Sequence, residues 1–322
     1  MATISLMANI ALADGPLPRM PKGPSPKTDL LNQQPLLAPS VGELRSAMRA
    51  YRQRNFGRAL SISKNLAERG NGDAAALAGF IYEKGLGTAV DFSNAARFYR
   101  MGIVQNSTDS MLGFGRMLVD GHMPAVGQIN SEAKTALERA INLGRKDAEP
   151  LLAAVLIVHF PSPENSQRAF ELYKSAAATD AGAAYQAAIM LDDGEPNPED
   201  DVALAAPLLK QAAEAGIAPA QSDYGRILFG GRGIAENKTE AAIWFQKAAE
   251  ANDIEGSFHW AVVNANGIGV PRNIEIAKTY ANIARAQMPE AQRLYDQILA
   301  FEAARSWVGP RANQPLATAP RN

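Results

Sequence analysis

The sequence predicts an all-α solenoid of paired helices, and three observations lead to this fold class. The chain has 322 residues, of which 47% are hydrophobic, so it can bury an extended core. Small residues recur about every 36 positions in two registers. Asp or Asn precedes most members of the second register, as is typical of helix N-termini. Strands, whose side chains alternate with a period of two, do not produce these spacings.

The first register defines one helix of each repeat, which we call helix A. Its small residue stands at six positions, namely Gly79, Gly115, Ala153, Ala188, Gly225 and Ala261. A large residue follows three positions later in five of the six copies, on the same face of the helix. In three copies a glycine pair closes the helix, at Gly85 and Gly87, Gly231 and Gly233, and Gly267 and Gly269. Glycine ends a helix readily because it adopts positive φ at little cost.

The second register defines the following helix of each repeat, helix B. Its alanine stands at Ala95, Ala133, Ala169, Ala205, Ala241 and Ala277. Large side chains mostly follow three and four positions later, where they fill the space between successive helix pairs. The predicted N-cap lies four positions before the alanine, at Asp91, Asn165, Asp201, Asn237 and Asn273. In the remaining repeat Asn130 lies one position away from the expected place.

These residues resemble the Sel1-like repeat family, which is related to tetratricopeptide repeats. The segments Ala74–Gly102 and Ala220–Ala249 match the family pattern best, and the resemblance covers roughly residues 45 to 305. It implies a right-handed α/α superhelix of about six repeats that serves as an adaptor and has no catalytic residues. A TPR-like helix pair is expected before the repeats, and Pro289 is expected to open a capping helix after them.

The ends of the chain bear on localisation. The apolar run from Ile4 to Ala13 closes in Ala11-Leu12-Ala13 and is similar to a signal peptide, although no basic residue precedes it. We therefore expect a signal-like segment at 1–13, a proline-rich linker at 14–40, the solenoid at 41–308 and a disordered tail at 309–322. Export is the favoured localisation, periplasmic in a bacterium, and the cytoplasm is the alternative. No stretch is long and apolar enough for a transmembrane helix.

The composition excludes several kinds of chemistry. The chain has no cysteine, three scattered histidines and a formal net charge of −1, which argues against disulfides, transition-metal sites and nucleic-acid binding. The motif Ser61-x-x-Lys64 resembles that of a penicillin-binding enzyme, but the companion motifs are missing. The Gly85-Leu86-Gly87 turn lacks the lysine of a phosphate-binding loop. We predict no catalytic, cofactor-binding or metal-binding residues.

A partner protein is expected on the concave side, which the A helices line in solenoids of this kind. Aromatic and arginine side chains beside the small positions are the predicted contact residues, because these types dominate protein interfaces. They are Phe80, Arg116, Tyr185, Arg226, Phe258 and His259. An alternative interpretation assigns Phe80, Tyr185 and Phe258 to packing between repeats.

The predicted function is a non-catalytic scaffold, an exported bacterial adaptor or regulator with a protein partner. The proline-rich start is similar to that of Sel1-type envelope regulators, some of which restrain a sensor kinase of exopolysaccharide control, so the resemblance implies a partner of that class. Two alternatives stay open. One is an envelope enzyme that acts on cell-wall material, and the other is a cytoplasmic assembly factor.

Overall fold

A computed structural model describes residues 41–192 and 198–306, and fifteen α-helices make up most of this part of the chain. A 3-10 turn at Lys146–Ala148 precedes the seventh helix, and the described residues contain no β-strand. The helices are α1 Val41–Arg52, α2 Phe56–Glu68, α3 Gly72–Lys84, α4 Phe92–Val104, α5 Thr108–Val119, α6 Gly127–Asn142, α7 Glu149–His159, α8 Pro163–Ala176, α9 Ala181–Asp192, α10 Pro198–Glu214, α11 Ala218–Gly230, α12 Lys238–Glu250, α13 Ile254–Asn266, α14 Ile274–Ala284 and α15 Pro289–Ser306.

The helices alternate between the two predicted types. The A helices are α3, α5, α7, α9, α11 and α13, and each is followed by a B helix. The chain divides into two compact units, an N-terminal unit that ends at Leu172 and a C-terminal unit that begins at Tyr173, with the boundary inside α8. Within the units, consecutive helices from α1 to α7 and from α9 to α15 pack on one another, and neighbouring A helices such as α3 with α5 and α11 with α13 are in contact. The predicted all-α repeat fold is confirmed.

The small positions of helix A exist because a large side chain of helix B occupies the adjacent space. A Cβ atom placed on Gly79 would lie 2.8 Å from the Tyr99 ring, and one on Gly225 would lie 2.7 Å from the Phe245 ring. On Gly115 it would lie 2.7 Å from Leu137. In all three repeats the large residue stands four positions after the second-register alanine. The small residue of helix A and this large residue of helix B are therefore the two partners of one contact.

The turn glycines end helix A as predicted. Gly85, Gly231 and Gly267 are the C-caps of α3, α11 and α13, with φ between 63° and 70° in the left-handed region. A side chain other than that of glycine is strained there.

The predicted N-caps are confirmed in three repeats. The side chains of Asp91, Asn237 and Asn273 accept the backbone N–H three residues further on, at the start of α4, α12 and α14. Each bond satisfies one N–H group that the first helical turn leaves without a partner.

The predicted N-caps are wrong in the other three repeats, because the helices begin earlier. Helices α8 and α10 start at Pro163 and Pro198, which places Asn165 and Asp201 inside them; proline is well suited to the first helical position. Ser162 instead caps α8 through a 3.2 Å bond from the Asn165 N–H. Helix α6 starts at Gly127, so Asn130 also lies inside it.

The predictions for the chain ends fall mostly outside the described residues. The signal-like segment, the proline-rich linker and the tail at 309–322 are in parts that the structure does not describe. The expected last helix is present and starts at Pro289, as α15. None of the helices described here is long and apolar enough to cross a membrane.

Candidate functional site

Three of the predicted contact residues, Arg116, Tyr185 and Arg226, lie in two charged clusters, one in each unit. In the N-terminal unit, Arg116 on α5 donates from Nη2 to the Glu83 carboxylate on α3, at 3.0 and 3.3 Å. The hydroxyl of Tyr99, on α4, donates to the same carboxylate at 2.6 Å, and the Lys84 ammonium lies 2.7 Å from it. We call Glu83, Lys84, Tyr99 and Arg116 the Glu83 cluster.

Charge pairing keeps the Glu83 carboxylate ionised despite its burial. The Glu83 side chain is fully buried, and the Arg116 side chain is 36% exposed. Burial alone would raise the pKa of Glu83, but Arg116, Lys84 and Tyr99 outweigh burial and hold that pKa below its ordinary value. Burial and the nearby Glu83 charge raise the pKa of Tyr99 far above normal, so the phenol stays a hydrogen-bond donor. The Glu83 carboxylate therefore joins three consecutive helices of the N-terminal unit.

Phe80 has a packing role. It lies on α3 with its ring 6.2 Å from that of Tyr51 on α1, in an edge-to-face arrangement, and it packs against the core formed by α1 to α3. This is the alternative interpretation that the sequence left open for Phe80, since such aromatic pairs stabilise helix contacts.

The C-terminal unit brings four of the predicted residues together. Tyr185 on α9 is 4% exposed, and its hydroxyl donates to the Asp223 carboxylate on α11 at 3.0 Å. Arg226, one helical turn after Asp223, donates to the same carboxylate at 2.8 Å and keeps 40% of its side chain exposed. Tyr185 therefore contributes its hydroxyl to a buried contact, whereas Arg226 presents a guanidinium at the surface.

Phe258 and His259 add an aromatic surface on the neighbouring helix A, α13. The His259 ring stacks on Phe245 with centroids 4.8 Å apart, and the Phe258 ring lies 5.3 Å from that of His259. Both side chains are half-buried. Burial, together with the Arg226 charge, lowers the pKa of His259 to about 4. The imidazole is therefore neutral at physiological pH and acts as a flat ring that carries no charge.

Two further carboxylates, those of Asp253 and Glu255, belong to the group of Tyr185, Asp223 and Arg226. Asp253 caps α13 by accepting the Gly256 N–H at 2.6 Å. Burial raises the pKa of Asp253, and the nearby Asp223 raises it further. Glu255, in the first turn of α13, is exposed and close enough to Asp223, Asp253 and Arg226 for their charges to act on it. We call Tyr185, Asp223, Arg226, Asp253 and Glu255 the Asp223 cluster.

The sequence interpretation selected the aromatic and arginine residues of this surface and missed its carboxylates. The position of Asp223 in the repeat could have pointed to it. Asp223 stands two positions before the small residue Gly225, and the predicted contact residue His259 stands two positions before Ala261. Glu255 lies one helical turn before His259, on the same face of α13. The contact between Asp223 and Tyr185 joins separate repeats, so no local spacing predicts it.

The described side chains offer no metal centre. Within residues 41–192 and 198–306, no three His, Asp or Glu side chains are grouped closely enough to hold a metal ion. The Asp223 cluster contains hydrogen-bond donors and acceptors, and the Arg226 charge acts on the nearby His259 ring.

Comparison with known families identifies the repeat. The family model described as the Sel1 repeat matches residues 72–103, 159–178, 181–217, 218–253 and 255–287. The chain is a Sel1 repeat protein. The matches correspond to α3 with α4 and to the helices from α8 to α14. The family model does not match α5 and α6, but these helices make the same Sel1-type contact, through Gly115 and Leu137.

Solved structures of Sel1 repeat proteins share this fold. A protective antigen of uropathogenic Escherichia coli, which has a Sel1-like repeat fold, is 19% identical, with a TM-score of 0.67 over 87% of this chain. This chain spans 65% of the length of that protein. A Sel1 repeat protein from Oxalobacter formigenes is 18% identical, with a TM-score of 0.62 over 76% of this chain and 97% of its own. Comparison with curated proteins gives no significant match.

Family membership indicates a general role. Sel1 repeat proteins are generally protein-interaction scaffolds without enzymatic activity. The repeat fold serves this role because stacked helix pairs expose a long surface while each pair contacts only its neighbours.

Proposed function

We propose that this Sel1 repeat protein is a non-catalytic adaptor that binds a partner protein on the A helices of its C-terminal unit. The observation that carries the proposal is the grouping of Arg226, Phe258 and His259 beside the Asp223 carboxylate. We call these four residues, together with Glu255, the helix-A surface.

The helix-A surface has the residue types that supply most binding energy in protein interfaces, which are aromatic side chains and arginine. Asp223 already fixes the Arg226 guanidinium through a 2.8 Å bond. A side chain that is held in place loses little conformational freedom when a partner binds, so less of the interaction energy is spent on ordering it. Phe258 and His259 add a half-buried aromatic face next to this fixed charge.

The binding surface is tested by affinity capture with matched arginine variants. Arg226→Ala should weaken capture of the partner from bacterial envelope extracts by about 5- to 30-fold, the loss expected of an interface anchor. Arg293→Ala removes an exposed arginine from α15 and should leave capture unchanged. Equal losses for the two variants would show that the effect comes from net charge, and unchanged capture with Arg226→Ala would place the interface elsewhere.

We also propose that the protein is exported to the periplasm. The support is the apolar run from Ile4 that closes in Ala11-Leu12-Ala13, which supplies the small residues of a signal cleavage site. N-terminal sequencing of the native protein should find a chain that begins at Asp14. A partner of the sensor kinase class, as for the similar envelope regulators, requires this localisation.

A cytoplasmic assembly factor is the competing proposal. In that case the native protein keeps the apolar run from Ile4 to Ala13. Fractionation of cells decides between the two, since recovery of the protein with its intact Met1 in the cytoplasmic fraction would exclude export by this signal.

A further inference from the structure

We propose that the outer face of helix α1 is a docking surface for an anionic phospholipid bilayer, whose phosphate groups bind a row of exposed arginines. The inference goes beyond the proposed function, because it concerns the N-terminal unit and a different class of ligand. We call the five residues that carry it the arginine row. They are Arg45, Arg49, Arg52, Arg54 and Arg58, and all five are exposed.

Helix geometry places three of these arginines on one side of α1. Arg45, Arg49 and Arg52 are spaced four and three positions apart, so they lie one above the other on the helix surface. The buried side of α1 points the opposite way, since Ala47 and Tyr51 pack in the core that α1 forms with α2 and α3. The arginines of α1 therefore project away from the core of the N-terminal unit.

The turn after α1 adds the other two arginines. The Arg54 N–H donates to the Tyr51 carbonyl at 2.9 Å, and Arg54 has a φ of 59°. Asn55 then caps α2 by accepting the Arg58 N–H at 3.2 Å. This tight turn keeps Arg54 and Arg58 close to the end of α1 at which Arg52 stands.

The positive charge of the arginine row is not neutralised by nearby acids. Glu43 is the only acid in α1, and it accepts from the Arg69 guanidinium through both carboxylate oxygens, at 3.0 and 3.1 Å. No arginine of the row forms an ion pair with an acid in the described part of the chain. Residues 41–68 contain six basic and two acidic residues in a chain whose formal net charge is −1. The rest of the chain is therefore acidic, and the basic charge is concentrated in this helix pair.

The chemistry of this face favours phosphate headgroups over a protein or a nucleic acid. Among the described side chains of α1 and α2, no large apolar one is exposed, whereas protein interfaces bury an apolar centre. These described side chains also include no exposed aromatic ring on which a base would stack. Guanidinium groups form paired hydrogen bonds with phosphate oxygens, and a cluster of four or more basic residues is typical of anionic lipid binding. A bilayer presents such phosphates across a plane, so it can contact several arginines at once.

Vesicle binding by the full chain tests the proposal. The protein is mixed with vesicles of phosphatidylglycerol and phosphatidylcholine in equal amounts, or of phosphatidylcholine alone, and bound protein is separated by sedimentation. Binding to the anionic vesicles should be at least about tenfold tighter, and it should weaken as salt is added, because salt screens the charges. Equal binding to the two kinds of vesicle would overturn the inference.

A triple variant tests the arginines of α1 directly. Arg45→Gln with Arg49→Gln and Arg52→Gln removes three charges from exposed positions, and glutamine has a helix propensity close to that of arginine. The affinity for anionic vesicles should fall by at least about tenfold, because each basic residue near an anionic surface contributes to binding. Unchanged affinity would overturn the inference.

A matched triple variant separates the arginine row from net charge. Lys146→Gln with Lys210→Gln and Arg293→Gln removes the same amount of charge from exposed positions elsewhere in the chain. It should change the affinity for anionic vesicles less than about twofold, because these positions lie outside the row. Equal losses in the two triple variants would show that the binding depends on overall charge and would overturn the inference.

Two further measurements separate the lipid contact from other ligands of the protein. A DNA duplex of mixed sequence should bind more weakly than the anionic vesicles at the same salt concentration, and tighter binding of the duplex would assign the arginine row to a nucleic acid and overturn the inference. Arg226→Ala, in the helix-A surface of the C-terminal unit, should leave vesicle binding unchanged. The lipid contact and the partner surface are therefore tested independently.

Discussion

At the scale of single residues, the small positions of helix A are limited by crowding. A Cβ atom on Gly225 would lie 2.7 Å from the Phe245 ring and 3.3 Å from the Ala241 carbonyl oxygen. Real side chains do not approach that closely, so either the ring or α11 must move. Such overpacking costs about 1–3 kcal/mol.

We therefore expect Gly225→Ala to destabilise the protein by about 1–3 kcal/mol. Gly230→Ala is the control, because Gly230 is exposed in the same helix and its Cβ would meet only Arg232, at 3.7 Å. Its stability should stay within about 0.5 kcal/mol of the wild type. Urea denaturation of both variants measures the difference, and equal midpoints would show that the small position is not a close contact.

The Glu83 cluster makes stability depend on pH. The pKa of Glu83 is lower in the folded protein than its ordinary value of 4.5, so the unfolded chain binds the proton more readily. The stabilisation that ionised Glu83 provides is therefore complete above about pH 5, and it is lost as the pH falls through the pKa of Glu83 in the folded protein.

Glu83→Gln should lower the free energy of unfolding by about 1–3 kcal/mol at neutral pH, because Arg116 and Tyr99 lose their charged acceptor. The difference in free energy of unfolding between the variant and the wild type should become smaller as the pH falls from about 5 to about 3. Glu250→Gln, at an exposed site, should follow the wild-type profile. Thermal unfolding across this pH range measures the stability of both proteins. A stability difference that does not change with pH would show that the pH dependence does not come from Glu83.

At the scale of helices, some starts have a side-chain cap and others do not. Asn237 caps α12 by accepting the Glu240 N–H at 3.1 Å, whereas Val126 at the start of α6 makes no side-chain cap bond. A substitution at Asn237 can therefore remove the cap of α12, and a substitution at Val126 can add a cap to α6.

Asn237→Ala should destabilise the protein by about 0.5–2 kcal/mol, because the Glu240 N–H loses its acceptor. Val126→Asp should stabilise it by about 0.5–1 kcal/mol, because the backbone at Val126 is already extended, with φ −110° and ψ 149°. Denaturation midpoints that shift in the same direction in both variants would contradict this assignment of caps.

At the scale of the molecule, the repeat is predictable from the sequence because its signals are periodic. The contact between Gly225 and Phe245 recurs in other repeats, so the two registers alone are enough to locate the helix pairs. The helix starts are less predictable, since Pro163 and Pro198 begin helices ahead of the Asn and Asp that the spacing marks as caps.

The charged clusters could be predicted only in part. Arg116 and Arg226 occupy the same position after the small residue, but their partners differ. Arg116 binds Glu83 on the preceding helix A, and Arg226 binds Asp223 on its own helix. Glu83 stands four positions after its small residue and Asp223 two positions before its own, so the register that places the two arginines does not predict which acid each one binds.

Photo-cross-linking from the helix-A surface tests the central claim most directly. A photoreactive amino acid replaces Phe258 on α13 in one variant, and Ile243, which is 49% exposed on the B helix α12, in the other. Irradiated cells that express the first variant should give a defined cross-linked protein partner, and the second variant should give none. A partner that cross-links from position 243 and not from position 258 would contradict the account.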